Sequence, residues 1–164
     1  MITFDLPTMF PPGTMISLLQ SSYLELPATT EETAYHHAQW RRTERLALED
    51  PDVAACVFIT CLDGQPIGFG SFDPRGKIGA VGQNVIHPDH RGGGYGREQL
   101  REILKRLRER GCTFARVKTG EHAFFAPAQA MYLSCGFKER RRYWREEIDS
   151  FRMVEFVVDL EAAL

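Results

Sequence analysis

The chain has 164 residues, of which 43% are apolar and 26% charged, and a formal net charge of -2. This is enough chain for one domain with a real core, at a composition ordinary for a globular protein. The charge gives no global field for nucleic acid, no apolar run approaches membrane-spanning length, and Met1-Ile2-Thr3-Phe4-Asp5 lacks the basic and apolar regions of a signal peptide.

Ile2 to Leu6 reads as a short strand, which Pro11-Pro12-Gly13 breaks. Met15, Leu18, Leu19, Ser22, Tyr23 and Leu26 have helical spacing, ended by Pro27. Thr29 or Thr30 caps the next helix, with Glu31 and Glu32 in the first turn, where the helix dipole favours acids. It runs to Glu49 and stops near Pro51. Val53 to Leu62, rich in Val, Phe, Ile and Thr, predicts a strand. Asp63-Gly64 predicts a hairpin turn, Pro66 to Phe72 its answering strand, and Asp73-Pro74-Arg75-Gly76 a second turn. Ile78 to Ile86 completes a meander.

His87-Pro88-Asp89 then turns the chain into Arg91-Gly92-Gly93-Gly94-Tyr95-Gly96. From Arg97 the apolar period is helical, with Leu100, Ile103, Leu104 and Leu107 on one face and Gly111 placed as a C-terminal cap. Phe114 to Lys118 predicts a strand, and the strand-helix-strand order predicts a parallel pair. Pro127 opens a helix that runs to about Cys135 and stops at Gly136. Phe137 to Tyr143 and Phe151 to Leu160 read as a closing antiparallel pair. The residues alone give an α/β or α+β fold with a mixed sheet.

The glycine turn is the feature that carries chemistry. Free N–H groups at a helix start bind anions, and residues without a Cβ let the backbone approach a phosphate closely. Arg91 and Arg97 at its ends suit an anion as well. A dinucleotide fingerprint needs a third glycine where Arg97 or Gln99 stands, and a phosphate-binding P-loop needs Gly-Lys-Ser/Thr where Gly96-Arg97-Glu98 stands. Both fail. The surviving pattern is Arg91-x-x-Gly94-x-Gly96 after an apolar strand and His87-Pro88. Downstream come Ala128, Met131-Tyr132 and Gly136-Phe137.

These two motifs, in this order, closely resemble the acetyl-CoA loop and closing helix of the GNAT superfamily of N-acetyltransferases. The resemblance covers about Val53 to Phe137. It implies one GNAT-like domain over residues 1–164, in which the strand ending at Ile86 and the strand Phe114–Lys118 splay apart. The pantetheine arm of the cofactor then supplies partners to unpaired backbone. It implies acetyl-CoA as acyl donor and a cofactor site made of Asn84, Val85, Ile86, Arg91, Gly92, Gly93, Gly94, Tyr95, Gly96, Arg97 and Ala128. Family members often carry Asn seven residues before the tyrosine; here that residue is Phe125, expected to pack on the cofactor arm or line the acceptor site.

The implied reaction is acyl transfer to an amine, which needs a neutral amine, a polarised thioester carbonyl and a proton for the departing thiolate. Tyr132 occupies the position of the acid. Several family members carry a carboxylate on the strand that matches Gly79 to Ile86, which has none here; others place theirs after the strand that matches Phe114–Lys118, so the resemblance implies Glu121 as base, with His122 or water as alternatives. The acceptor is a small-molecule or protein amine. A non-catalytic acyl-CoA sensor of the same fold is the competing class. The expected setting is the cytoplasm, without nucleic-acid or membrane partners, with a homodimer as the candidate assembly. No metal is expected: His87 and His90 lack further ligands, and Cys56, Cys61, Cys112 and Cys135 lack paired zinc spacing and read as free thiols. Lys138 to Arg145 is basic, but Glu139, Glu146, Glu147 and Asp149 offset it.

Overall fold

A computed structural model describes residues 1–145 and 150–162. The acids Glu146, Glu147 and Asp149, which offset the basic hairpin, lie outside the described residues. The strands are β1 (Ile2–Asp5), β2 (Val57–Leu62), β3 (Gln65–Asp73), β4 (Ile78–Ile86), β5 (Phe114–Gly120), β6 (Lys138–Tyr143) and β7 (Met153–Asp159). They form one seven-stranded sheet in the order β1-β2-β3-β4-β5-β7-β6. β4 and β5 are parallel, and the pairings β1 with β2, β2 with β3, β5 with β7 and β6 with β7 are antiparallel. The helices are α1 (Thr14–Ser22), α2 (Thr30–Glu49), α3 (Pro51–Ala54), α4 (Tyr95–Glu109) and α5 (Ala126–Ser134). This is the expected mixed α/β class. The chain groups into two compact units, Met1–Phe72 with Gln83–Arg101 and Asp73–Gly82 with Glu102–Leu164.

In the first unit, local chemistry sets most boundaries. Thr29 caps α2 in a reciprocal box: its hydroxyl accepts the Glu32 N–H at 3.1 Å, and the Glu32 carboxylate accepts the Thr29 N–H at 2.7 Å. α1 starts after Gly13, which has no side chain to cap it. Glu44 of α2 does so instead, accepting from the N–H groups of Gly13 at 2.9 Å and Met15 at 3.0 Å. Asp63 and Gly64 both take positive φ, 50° and 83°, as a two-residue hairpin of the primed type requires. Leu18, Leu19, Ile59, Phe69 and Val85 pack into the core of this unit.

Two expected boundaries in this unit move by four residues, the start of β2 and the end of α1. Val53 to Cys56 is not strand: the Asp50 side chain accepts from Asp52 and Val53 N–H, Pro51 fits the first helical position, and the short helix α3 results. The cap outweighs the β-propensity of Val53. α1 ends at Ser22 rather than near Leu26, because Tyr23 leaves the helix and stacks on Trp40, with ring centroids 5.8 Å apart.

In the second unit, Gly111 (φ 88°) ends α4: its N–H reaches Arg108 O at 2.9 Å, and Cys112 N–H reaches Leu107 O at 3.1 Å. Gly79 allows close packing, since a Cβ there would lie 2.6 Å from Leu107. The parallel pairing joins Ile78, Gly79 and Ala80 to Phe114, Ala115 and Arg116. β5 continues to Gly120, two residues beyond the expected end, because β7 pairs with it along its whole length.

The buried Glu44 carboxylate gives a stability test. Glu44→Leu leaves the first N–H groups of α1 without an acceptor in a poorly hydrated place. It is expected to lower unfolding free energy by about 1–3 kcal/mol in urea titrations. Glu44→Gln keeps one acceptor oxygen and is expected to lose less. Equal stability of Glu44→Leu and the parent would contradict the capping role.

Candidate active site

In the first unit, the site is built around the end of β4. Gln99, fully buried on α4, places its amide nitrogen 2.9 Å from Phe69 O, 2.6 Å from Asn84 Oδ1 and 3.3 Å from Val85 O. Its amide oxygen accepts the Thr60 hydroxyl at 2.5 Å. One side chain thus ties β2, β3 and β4 together. Gly68 makes this packing possible, since a Cβ there would sit 2.2 Å from Val85 O. Ile86 O accepts from Ser22 Oγ at 3.2 Å and from Arg91 Nε at 3.3 Å, and Arg91 Nη2 donates to Ser22 O at 2.9 Å. Arg91 therefore spends donors on the chain itself, which fixes the approach to the glycine turn.

The strand's N–H groups have a defined direction. Gln83 N–H donates to Ser71 Oγ and His87 N–H to Ile67 O, each at 2.7 Å. Alternate residues on a strand point to opposite edges, so the N–H groups of Asn84 and Ile86 aim away from β3. Gly92 and Gly94 take φ of 82° and 83°, and a Cβ on Gly93 would lie 2.8 Å from the Tyr95 ring. Gly94 O accepts from Arg97 N–H at 3.0 Å and Glu98 N–H at 3.1 Å, so the first helical bonds begin there. The capping residue has no side chain. The N–H groups of Tyr95 and Gly96 precede those first bonds and can serve an anion.

In the second unit, Tyr132 is buried on α5, 5.6 Å from the Phe137 ring and 6.1 Å from the Phe156 ring between centroids. Phe137 N–H bonds to Tyr132 O at 3.1 Å, so the Gly136 turn folds directly back on the tyrosine. Ala128, half-buried, lies one turn earlier. Phe125 packs 5.0 Å from Phe124 and 5.7 Å from Phe151. Gly120 makes room for that cluster: a Cβ there would be 2.5 Å from both the Phe125 and Phe151 rings.

The expected bases have other work. Glu121 accepts from Arg152 at 2.7 Å through both oxygens and from Arg142 Nη1 at 3.0 Å, and Arg142 also binds Glu139 at 2.7 Å. The hydrogen bonds from Arg152 are the main cause that holds the Glu121 carboxyl below its ordinary value; desolvation opposes them, and the hydrogen bond from Arg142 adds to the lowering. A carboxylate so stabilised takes up a proton poorly. His122 Nδ1 accepts the Phe124 N–H at 3.0 Å. Its neutral form then carries hydrogen on Nε2, which leaves no spare lone pair for a base. His87 likewise caps its own turn, with Nδ1 accepting from Asp89 N–H at 3.2 Å.

Sequence reasoning missed Gln99 as the organiser of β4. The available signal was an amide within the apolar stripe of α4, one turn before Ile103. It also missed Ser22, and the pairing of Glu121 with arginines 21 and 31 residues away, for which no local signal exists.

Comparison with known proteins bears on this arrangement. Residues 15–137 match the family model described as the acetyltransferase (GNAT) family. The mycothiol acetyltransferase of Streptosporangium roseum is 35% identical over 79 residues, 48% of this chain, and the match spans only 22% of that protein. A GNAT-family protein from Desulfovibrio desulfuricans superposes with a TM-score of 0.78 at 16% identity, covering 98% of this chain and 99% of that one. PaiA N-acetyltransferase from Thermoplasma acidophilum, solved with coenzyme A, gives 0.73 at 13% identity over 94% and 98%. The ribosomal-protein-S18-alanine N-acetyltransferase of Escherichia coli gives 0.65 at 14% identity over 98% and 94%. At these identities the structures speak to fold alone. The family model, however, takes in the glycine turn, Tyr132 and Gly136-Phe137: the chain belongs to the GNAT family of acetyltransferases.

Proposed function

We propose that the protein transfers an acetyl group from acetyl-CoA to a primary amine, by direct attack in a ternary complex. The observation that carries this reading is the glycine-capped start of α4, directly after a strand end whose carbonyls are already satisfied. The family model runs through both units, which supports treating them as one catalytic domain. Tyr95 and Gly96 N–H, with Gly92, Gly93, Gly94 and Arg97, receive the pyrophosphate, and Arg91 holds the turn. Asn84 and Ile86 N–H receive the pantetheine arm as an added strand would, with Val85 held back by Gln99. Ile86 N–H polarises the thioester carbonyl. Ala128 leaves room beside α5, and Phe125 packs there in place of a polar contact.

The amine nitrogen forms a bond to the thioester carbon, the C–S bond breaks, and the Tyr132 hydroxyl gives its proton to the leaving thiolate. The proton lost by the amine passes to water, since Glu121 is held as an anion by Arg152 and Arg142. The acceptor is a small-molecule or protein amine, the setting cytoplasmic, and neither a nucleic acid nor a membrane takes part. One observation favours the competing reading of an acyl-CoA sensor: both expected bases are engaged elsewhere. Release of thiol from acetyl-CoA across a panel of amines separates the two readings.

Two variants test the assigned roles. Gly94 has open space around its Cβ position but a φ of 83°, so Gly94→Val strains the turn and projects bulk over the N–H groups. Calorimetry on the folded variant is expected to show most CoA affinity lost, and unchanged affinity would remove this site. Tyr132→Phe is expected to lower kcat by roughly 100-fold while CoA affinity stays nearly constant, because only a transition-state interaction is lost. Full turnover where chemistry limits the rate would leave Tyr132 as a packing residue.

A further inference from the structure

Within the second unit, β5 alternates sharply. Ala115, Val117 and Thr119 are buried, while Arg116 is half-buried and Lys118 exposed on the opposite face. The register carries that opposite face across the ladder: Lys118 lies beside Glu155 of β7, and Glu155 beside Arg141 of β6. Tyr143 shares the face, since it lies two residues beyond Arg141 and opposite Met153.

Two arginines meet one carboxylate here. Glu155 is fully buried, and its oxygens are taken by Arg140 at 3.3 Å and by Arg141 at 3.3 and 3.4 Å. The irregularity between Glu139 and Arg141 allows two successive arginines to reach one acid. Lys118 has no carboxylate partner among the described residues; its ammonium lies 5.7 Å from the centre of the Tyr143 ring, with the Arg141 guanidinium 4.6 Å from the same ring. Asp73 attracts Arg116, but both Asp73 oxygens are bonded by Arg75. Two donors on this face, Arg116 Nε and the Tyr143 hydroxyl, are buried without a hydrogen-bond partner. Buried donors are seldom left unpaired, and cations whose nearest described acids, Glu155 and Asp73, are already bonded by other arginines attract an anion.

We propose that Arg116, Lys118 and Tyr143 form a binding site for an oxyanion, a phosphate or carboxylate group, built from residues other than those of the glycine turn. Two residues apart on one strand, Arg116 and Lys118 emerge on the same face about 7 Å apart, a span that an oxyanion accepting from both can bridge. The phenol is a further donor, and the cations near its ring strengthen it as one. The site does not depend on the acetyl-transfer reading.

The test follows the Arg116 Nε–H signal of nitrogen-labelled protein by NMR, titrated with inorganic phosphate and, separately, with succinate, at constant ionic strength set by sodium chloride. The signals of Gly92 to Arg97 are tracked in parallel, so binding at the glycine turn is read independently. A saturating shift of Arg116 Nε–H with one of the two anions is expected, and which one identifies the ligand group. Lys118→Gln and Tyr143→Phe, which leave the guanidinium in place, are each expected to weaken that binding roughly fivefold or more, the scale of one charge-assisted hydrogen bond. A shift that stays linear, or that chloride alone reproduces, overturns the proposal. So does saturable binding that neither substitution weakens.

Discussion

The buried amide of Gln99 is the constraint on which the first unit depends. A carboxamide out of water must have its hydrogen bonds made inside the protein, and this one finds them on three strands: Thr60 on β2, Phe69 on β3, and Asn84 with Val85 on β4. Its presence within an otherwise apolar helix face follows from that. So does the glycine at position 68, where any side chain would collide with Val85 O. Ser22 and Arg91 perform the same service one residue later, at Ile86 O. The last carbonyls of β4 are consumed internally, and the turn that follows leaves from a fixed point.

Electrostatics divides the second unit differently. Several of its acids are held by arginines: Glu121 by Arg152 and Arg142, Glu139 by Arg142, Glu155 by Arg140 and Arg141. Glu121 and Glu139 are both held below their ordinary values, first by side-chain hydrogen bonds from arginine. These exposed pairs contribute little to stability. Their consequence is chemical, because they remove carboxylates from the pool of proton acceptors. The proposed mechanism accordingly rests on Tyr132 as acid and on water for the amine proton.

Where structure is set by neighbours in sequence, the chain was readable. Asp63-Gly64 supplies the positive φ of its hairpin, Thr29 with Glu32 makes its box, Gly111 closes α4, and Pro127 with Gly136 bounds α5. The strand, glycine turn and helix from Ile78 to Glu109 were readable for the same reason, and so was the family they carry. Departures came where a distant or competing partner decided. The side chain of Asp50 turned Val53 into a helical residue, and stacking on Trp40 drew Tyr23 out of α1. At the site, positions were legible but occupancies were not. Glu121 stands directly after β5, as read, yet its two arginines come from remote parts of the chain. The residue type of Gln99 is plain in the sequence, but its partners on β2, β3 and β4 are not.

The central claim is that β4 ends with N–H groups of Asn84 and Ile86 directed away from β3, ready for the arm of an acyl-CoA. Amide hydrogen exchange at these two residues, measured with and without coenzyme A at saturation established by calorimetry, tests it most directly. Exchange at Asn84 and Ile86 is predicted to slow on binding, while Gln83 and His87, already bonded to Ser71 and Ile67, change less. Unchanged exchange at Asn84 and Ile86 with coenzyme A bound would contradict the account.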